Sequence, residues 1–195
     1  METAVQTIPE QLVYEVTDQG PIYYQGYREY LDGIKTLEEI MGSSILQSSL
    51  VTDLVYALST LSKEYRVLSS ELGIQLARGK YRAADIAIVR RDAMKKVKDK
   101  RKYLGFAPEV VIEVDIKAEL ETIEGLKDSL GYIDTKTKEL FQFGVKKVIW
   151  VLTDTEKVVV AETGQSWTFV DWDKDITVLE DCSINVMAII DEINA

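Results

Sequence analysis

The chain has 195 residues, 46% of them apolar and 29% charged, which is enough for one hydrophobic core and short for two. Its net charge is −10 and it has no histidine, which excludes Ser-His and Cys-His catalysis and removes the commonest zinc ligand; acid–base work falls to Asp, Glu, Lys, Tyr or a metal-bound water. Cys182 is the sole cysteine, which excludes an internal disulfide and points to a reducing cytoplasm, and no apolar run approaches the ~20 residues needed to span a bilayer.

In chain order, Met1 to Gln11 reads as a loose end of a single domain over 1–195, and Met1–Pro9 lacks the basic and apolar regions of a signal peptide. Leu12–Val16 alternates like a strand. A tyrosine-rich stretch from Tyr23 closes on the turn signal Asp32-Gly33, and Thr36 with Glu39 spells a capping box. Ser44 to Leu61 predicts a long helix whose apolar face carries Ile45, Leu46, Leu50, Leu54 and Leu58. Arg66–Leu68 and Leu72–Leu76 read as short strands around a bend, followed by a strand over Ala84–Val89. The stretch Arg90–Lys102 reads as a loop or short irregular helix, and Glu109–Asp115 as a strong strand. Helical spacing follows, marked by Leu120, Ile123, Leu126 and Leu130 and then by Leu140 and Phe143, with Gly144 as C-cap. Lys147–Thr153 predicts a central strand, Val158–Val160 and Trp167–Val170 the outer strands of a meander, and Val186–Ile193 a last helix. The fold class is α/β (α+β): a mixed sheet flanked by helices.

Two of these strands carry acids where a buried strand should have none. Asp85 interrupts the first apolar run, and Glu113 and Asp115 interrupt the second. An unpartnered buried carboxylate costs several kcal/mol, so such a placement suits a cation. Strand alternation puts Glu113, Asp115 and Lys117 on one face, and Asp85 on a neighbouring strand could complete a set of oxygen ligands, which favours magnesium, manganese or calcium. Read plainly, the same acids are strand-end residues facing water. The charge is also uneven: Arg78 to Lys102 holds eleven Lys or Arg and three Asp, a local balance of +8 in an acidic chain. Within it Arg78, Lys80, Arg82, Arg90, Arg91, Lys95 and Lys96 are the candidate phosphate contacts; the plain reading is a solvated loop.

Ala84-Asp85, then Glu113-Val114-Asp115, then Lys136 eight residues before Gly144, then the strand Val148–Val151, resemble the PD-(D/E)XK nuclease superfamily and, more narrowly, its bacterial Uma-type branch of restriction-endonuclease-like proteins. The resemblance implies a restriction-endonuclease-like fold and a magnesium- or manganese-dependent endonuclease acting on DNA. It implies Asp85 and Glu113 as metal ligands, the Val114 carbonyl beside the ion, and Lys136 as the catalytic lysine. Asp115 stands where the superfamily's lysine is commonest, Ala84 where proline is usual and Leu140 where tyrosine is common. Lys117 competes with Lys136, because Asp115-Ile116-Lys117 repeats the motif two residues on; Glu71 is an additional acid. The alternatives are a catalytically inactive nuclease-fold protein that binds nucleic acid or serves as an assembly module, and a metal-dependent enzyme for a small phosphate ester. A homodimer built on the apolar outer strands fits either of the first two readings, and no membrane partner is expected.

Overall fold

The computed structural model describes residues 8–120, 129–180 and 182–194. After a short 3-10 turn, β1 (Val13–Thr17) and β2 (Gly20–Tyr23) form a hairpin, followed by α1 (Tyr27–Leu31), α2 (Leu37–Met41) and α3 (Ile45–Ala57). Next come β3 (Tyr65–Ala77), β4 (Lys80–Arg90), α4 (Arg91–Lys95), β5 (Val110–Val114), α5 (Ser129–Phe143) and β6 (Lys147–Leu152). The chain ends with β7 (Lys157–Glu162), β8 (Thr168–Asp171), the hairpin β9 (Ile176–Leu179) and β10 (Cys182–Ile184), and α6 (Val186–Ile193).

The main sheet runs β2-β1-β4-β5-β6-β7-β8, with β3 along the other edge of β4. It is mixed: β5 and β6 are parallel, joined by the crossover that contains α5, and their neighbours are antiparallel. Period-2 alternation divides the sheet into two cores. On one face Val111, Val148, Trp150 and Val159 pack with Ile133 and Leu140 of α5 and with Tyr14 of β1. On the other, Ile86, Ile88, Ile112, Ile149 and Val151 pack with Leu50 and Leu54 of α3 and Ile189 of α6.

Local signals explain most boundaries. Thr36 accepts from Glu39 N–H while the Glu39 carboxylate accepts from Thr36 N–H, so the predicted capping box forms. Ser44 caps α3. Gly144 ends α5 at φ +115°, a backbone that L side chains rarely adopt. Ile45 and Leu46 differ from expectation, at 87% and 38% exposed, because the helix turns only its Leu50–Leu54 stripe to the sheet. Leu130 is also exposed at 58%, while Ile123 and Leu126 lie outside the described residues. The two short strands around a bend are instead one strand, β3, and the bend is a bulge. No helix among the described residues is long and apolar enough to cross a membrane.

Candidate active site

Two strand irregularities meet at Asp85. On one edge of β4 the register passes from Ser69↔Ile86 to Leu72↔Ala84, so Ser70 and Glu71 together stand opposite Asp85. Both bulge residues have positive φ, +72° and +51°, the sort of distortion that re-aims side chains beside active sites. On the other edge β1 pairs at Tyr81 and β5 from Ile86, leaving the stretch between without a ladder partner. Side chains fill that split. The Glu15 carboxylate accepts from Ala83 N–H at 3.1 Å, and the Asp85 carboxylate accepts from Val114 N–H at 2.8 Å. Asp85 and Glu113 are thus brought to either side of one peptide, 6% and 1% exposed.

Glu113 faces α5, and there Lys136 meets it. The buried stripe of α5 reads Tyr132, Lys136, Leu140, with a lysine in the middle of an apolar face. Lys136 Nζ lies 3.0 Å from Glu113 Oε1 and 2.9 Å from Glu15 Oε1. Glu15 also accepts from Arg82 at 2.6 Å and from the Tyr132 hydroxyl at 2.8 Å, and Arg82 continues to Glu139 at 2.7 Å. The charges alternate along a row that starts at the half-buried Glu139 and runs inward through the buried Arg82, Glu15, Lys136 and Glu113, until it ends on two neighbouring carboxylates, Glu113 and Asp85.

The electrostatics follow that order. Burial pushes Glu15 up, but Lys136 and Arg82 outweigh it and hold its carboxyl below the usual range. Burial pulls Lys136 down, but Glu113 and Glu15 overcome this and hold it firmly charged. Glu113 is pushed up to about 8, chiefly by burial, with Asp85 adding to the shift and Lys136 opposing it. Asp85 is raised by burial despite the Val114 N–H and the two nearby lysines. Glu113 Oε1, although beside Lys136, has no partner in hydrogen-bond geometry.

Asp115 and Lys117 depart from the predicted shared face. The strand ends at Val114, and Asp115 takes φ +62°, which breaks the alternation. Its carboxylate turns to the end of β6, accepting from Thr153 N–H at 2.7 Å and from the Thr153 hydroxyl at 2.8 Å. Asp115 therefore fastens a loop and is not grouped with Asp85 and Glu113. Lys117 enters the site from another side, donating to the Ser43 hydroxyl at 3.0 Å and pairing with Glu71. Lys117, Glu71 and Asp85 line a cleft of about 330 Å³ between α3 and the bulge of β3, together with Ser43, Ser48 and Ser70.

The basic window does not form one surface beside Asp85. Arg82, expected among the phosphate contacts, is fully buried between Glu15 and Glu139, because it neutralises the row of acids. Lys80 pairs with Asp18 and Glu139, and Arg90 pairs with Asp92 and lies over the Tyr65 ring. Lys80 and Arg90 flank Asp85 along β4 at ~16 Å each way at strand rise. Arg78 is in the turn before β4, while Arg91 and Lys95 are in α4, followed by Lys96; Arg78, Lys95 and Lys96 are exposed.

Sequence reasoning missed Glu15, Tyr132 and Gln47. Glu15 lies in a strand read only as alternating, yet both it and Tyr14 are buried. Gln47 Nε2 donates to the Val114 carbonyl at 2.7 Å, which ties α3 to the site. Oxygen donors able to hold a cation are Asp85, Glu113 and the second lone pair of the Val114 carbonyl. Among the described residues no cage of three or more acidic, cysteine or histidine side chains is formed.

Residues 27–177 match the Uma2 family, whose description is "Putative restriction endonuclease". No curated protein matches the chain. Among solved structures, a putative nuclease of the DUF820 family from Anabaena variabilis ATCC 29413 superposes with a TM-score of 0.64 at 12% identity, over 91% of this chain and 89% of that one. That likeness establishes a shared fold.

Proposed function

Because the chain belongs to the Uma2 restriction-endonuclease family, we propose that it is a divalent-metal-dependent endonuclease that hydrolyses DNA phosphodiester bonds at Asp85 and Glu113. Membership supports nuclease function in general, with nucleic acid as substrate. The observation that carries the finer reading is the pair itself: two neighbouring buried carboxylates, both shifted toward the neutral form, with one oxygen outside hydrogen-bond geometry. Such a donor set fits a hard cation. Two carboxylates and a carbonyl, without a full protein cage, suit magnesium or manganese, which keep waters and share substrate phosphate oxygens. When bound, the ion supplies a nucleophile from water and offsets charge on the phosphoryl oxygens.

The chain's own residues divide the remaining work. Asp85 is aimed by the Val114 N–H, and Glu113 is held by its place on β5 and by Lys136. Lys136 is kept charged by two carboxylates, so it serves as a fixed cation near the reacting phosphate and is no proton acceptor. Lys117 stands in the cleft, anchored by Ser43 and Glu71, where it can meet a phosphate arriving from solvent.

Nicking of supercoiled plasmid by purified protein tests this. Cleavage should require magnesium or manganese, and Asp85→Asn or Glu113→Gln should lower the rate by ~100-fold or more, the scale set by removing one group that stabilises transition-state charge. Wild type indistinguishable from both variants would end the proposal. The burial of Lys136, 1% exposed, favours one other reading, a nuclease fold whose charged row is purely structural. It predicts no cleavage, and metal affinity unchanged by Glu113→Gln.

A further inference from the structure

We propose that Glu15 is a positioning residue of this site: by holding one side of the Lys136 ammonium, it keeps that charge from closing fully onto Glu113. The inference rests on the metal-dependent reading above. Glu15 lies on β1, ahead of the span matched by the family, so membership assigns it nothing.

Three observations support it. Lys136 Nζ is held almost evenly, 2.9 Å from Glu15 and 3.0 Å from Glu113. The ammonium also sits within 6 Å of three ring centroids, Tyr14 at 5.8 Å, Tyr132 at 5.7 Å and Trp150 at 5.5 Å, so it is confined to the space between the two acids. Finally, Glu15 is itself fixed from three further sides, by Arg82, Tyr132 and Ala83 N–H. Its ties to β4 fasten an edge hairpin whose register with that strand is set at Val16↔Tyr81. A carboxylate held this way cannot follow the lysine, so the lysine is shared.

The consequence is competition at Glu113. A lysine committed to Glu113 alone would neutralise it and oppose a cation on the same carboxylate. A lysine shared with Glu15 leaves Glu113 net charge to offer. Sharing the lysine is thus how Glu15 favours a cation at Glu113 and Asp85.

Glu15→Gln separates this role from a structural one. The amide oxygen can stand at Oε1 and accept from Ala83 N–H, and the amide NH2 then stands at Oε2, where the Tyr132 hydroxyl can turn to accept. Arg82 keeps Glu139, so the change removes the charge and one acceptor while the packing volume stays. The expected result is a folded protein whose manganese dissociation constant, measured by calorimetry without DNA, rises about tenfold. Its kcat for plasmid nicking should fall at least tenfold, with KM within twofold. Lys136→Met and the double variant Glu15→Gln/Lys136→Met should then coincide in both measurements, because Glu15 acts through the lysine. If Glu15→Gln does not fold, Lys136→Met against the double variant still decides: coincidence supports the role, and a further loss in the double overturns it. A Glu15→Gln protein with wild-type manganese affinity and kcat overturns it as well. Wild type that binds no manganese sinks the metal reading itself, whereas intact wild-type binding with an indifferent Glu15→Gln sinks only the role of Glu15.

Discussion

Two lysines stand among oxygens at the same end of β5, and their surroundings could hardly differ more. Lys136 lies on the buried face of α5 with its side chain 1% exposed, between Glu15 and Glu113 at 0% and 2%. Lys117 lies in the cleft beside the β3 bulge at 13%, with Glu71 at 30% and a serine hydroxyl as its other partner. The sealed lysine is set by the fold: its partners lie on two strands and have no water to turn to. The cleft lysine has solvent as an alternative to every contact it makes. The same chemistry thus yields a fixed electrostatic element on one face of the strand and an adjustable one on the other.

The largest expected effect comes from breaking the sealed side. Lys136→Met leaves Glu15 and Glu113 buried with one cation fewer. Removing one member of a buried pair costs about 3 kcal/mol or more, and a urea midpoint should fall accordingly, while plasmid cleavage drops at least ~100-fold. Lys117→Met should leave stability within about 1 kcal/mol, as for pairs with access to water. Its cleavage rate should fall less than tenfold, mostly through KM for DNA. Equal losses in the two variants would erase the contrast between a sealed and an open lysine.

A smaller effect sharpens the contrast within the sealed side itself, where two carboxylates shift in opposite directions. Burial pushes the Glu113 carboxyl up to about 8 from its ordinary value of 4.5. Between those values the folded state holds the extra proton, so metal-free stability falls as pH rises through the window, by at most ~1.4 kcal/mol per pH unit for one proton. Glu15 is held low and acts the other way: its contribution is present above its unfolded pKa and is lost as pH falls through its folded one. Urea titrations in chelator from pH 5.5 to 8.5 should therefore show a declining midpoint for wild type and a flatter profile for Glu113→Gln. Manganese should restore the high-pH midpoint of wild type alone. An identical slope in the two proteins would remove the account of the Glu113 shift.

These contrasts were partly legible in the sequence. Asp85 and Glu113 stood out because an acid inside an apolar strand needs a reason, whereas Lys136 was reached only through the family resemblance, by its place eight residues before Gly144. Most elements followed from periodicity and caps; β2 and the β9–β10 hairpin were missed because runs of three or four residues carry too little pattern. Asp115 misled because alternation holds only while the strand lasts, and one residue of positive φ re-aimed it at Thr153. Glu15 was illegible for another reason. Its partners come from β4 and α5, Arg82, Lys136 and Tyr132, and nothing within its own strand reports a contact made so far along the chain. The bulge at Ser70 and Glu71 could be read only as a bend, because register against β4 exists only in the folded sheet.

The basic window carries the same lesson at the smallest expected amplitude. In sequence it surrounds Asp85; in space, β4 carries its members to opposite ends of the strand and turns Arg82 inward. Basic side chains gain by acting together along one DNA backbone, and every phosphate they neutralise adds roughly one to the salt slope of binding. Residues parted by the length of β4 do not share one short stretch of backbone. Arg78→Glu and the double change Lys95→Glu/Lys96→Glu should each weaken DNA binding less than about threefold at moderate salt, with a slope change below one. Arg82→Met should act instead on stability, since it strips Glu15 of a buried cation. Fluorescence anisotropy across a salt series checks the first expectation and urea unfolding the second. A steep drop in salt slope for either surface variant would mean that DNA does run along that end of β4, and the sealed row would then share substrate binding with it.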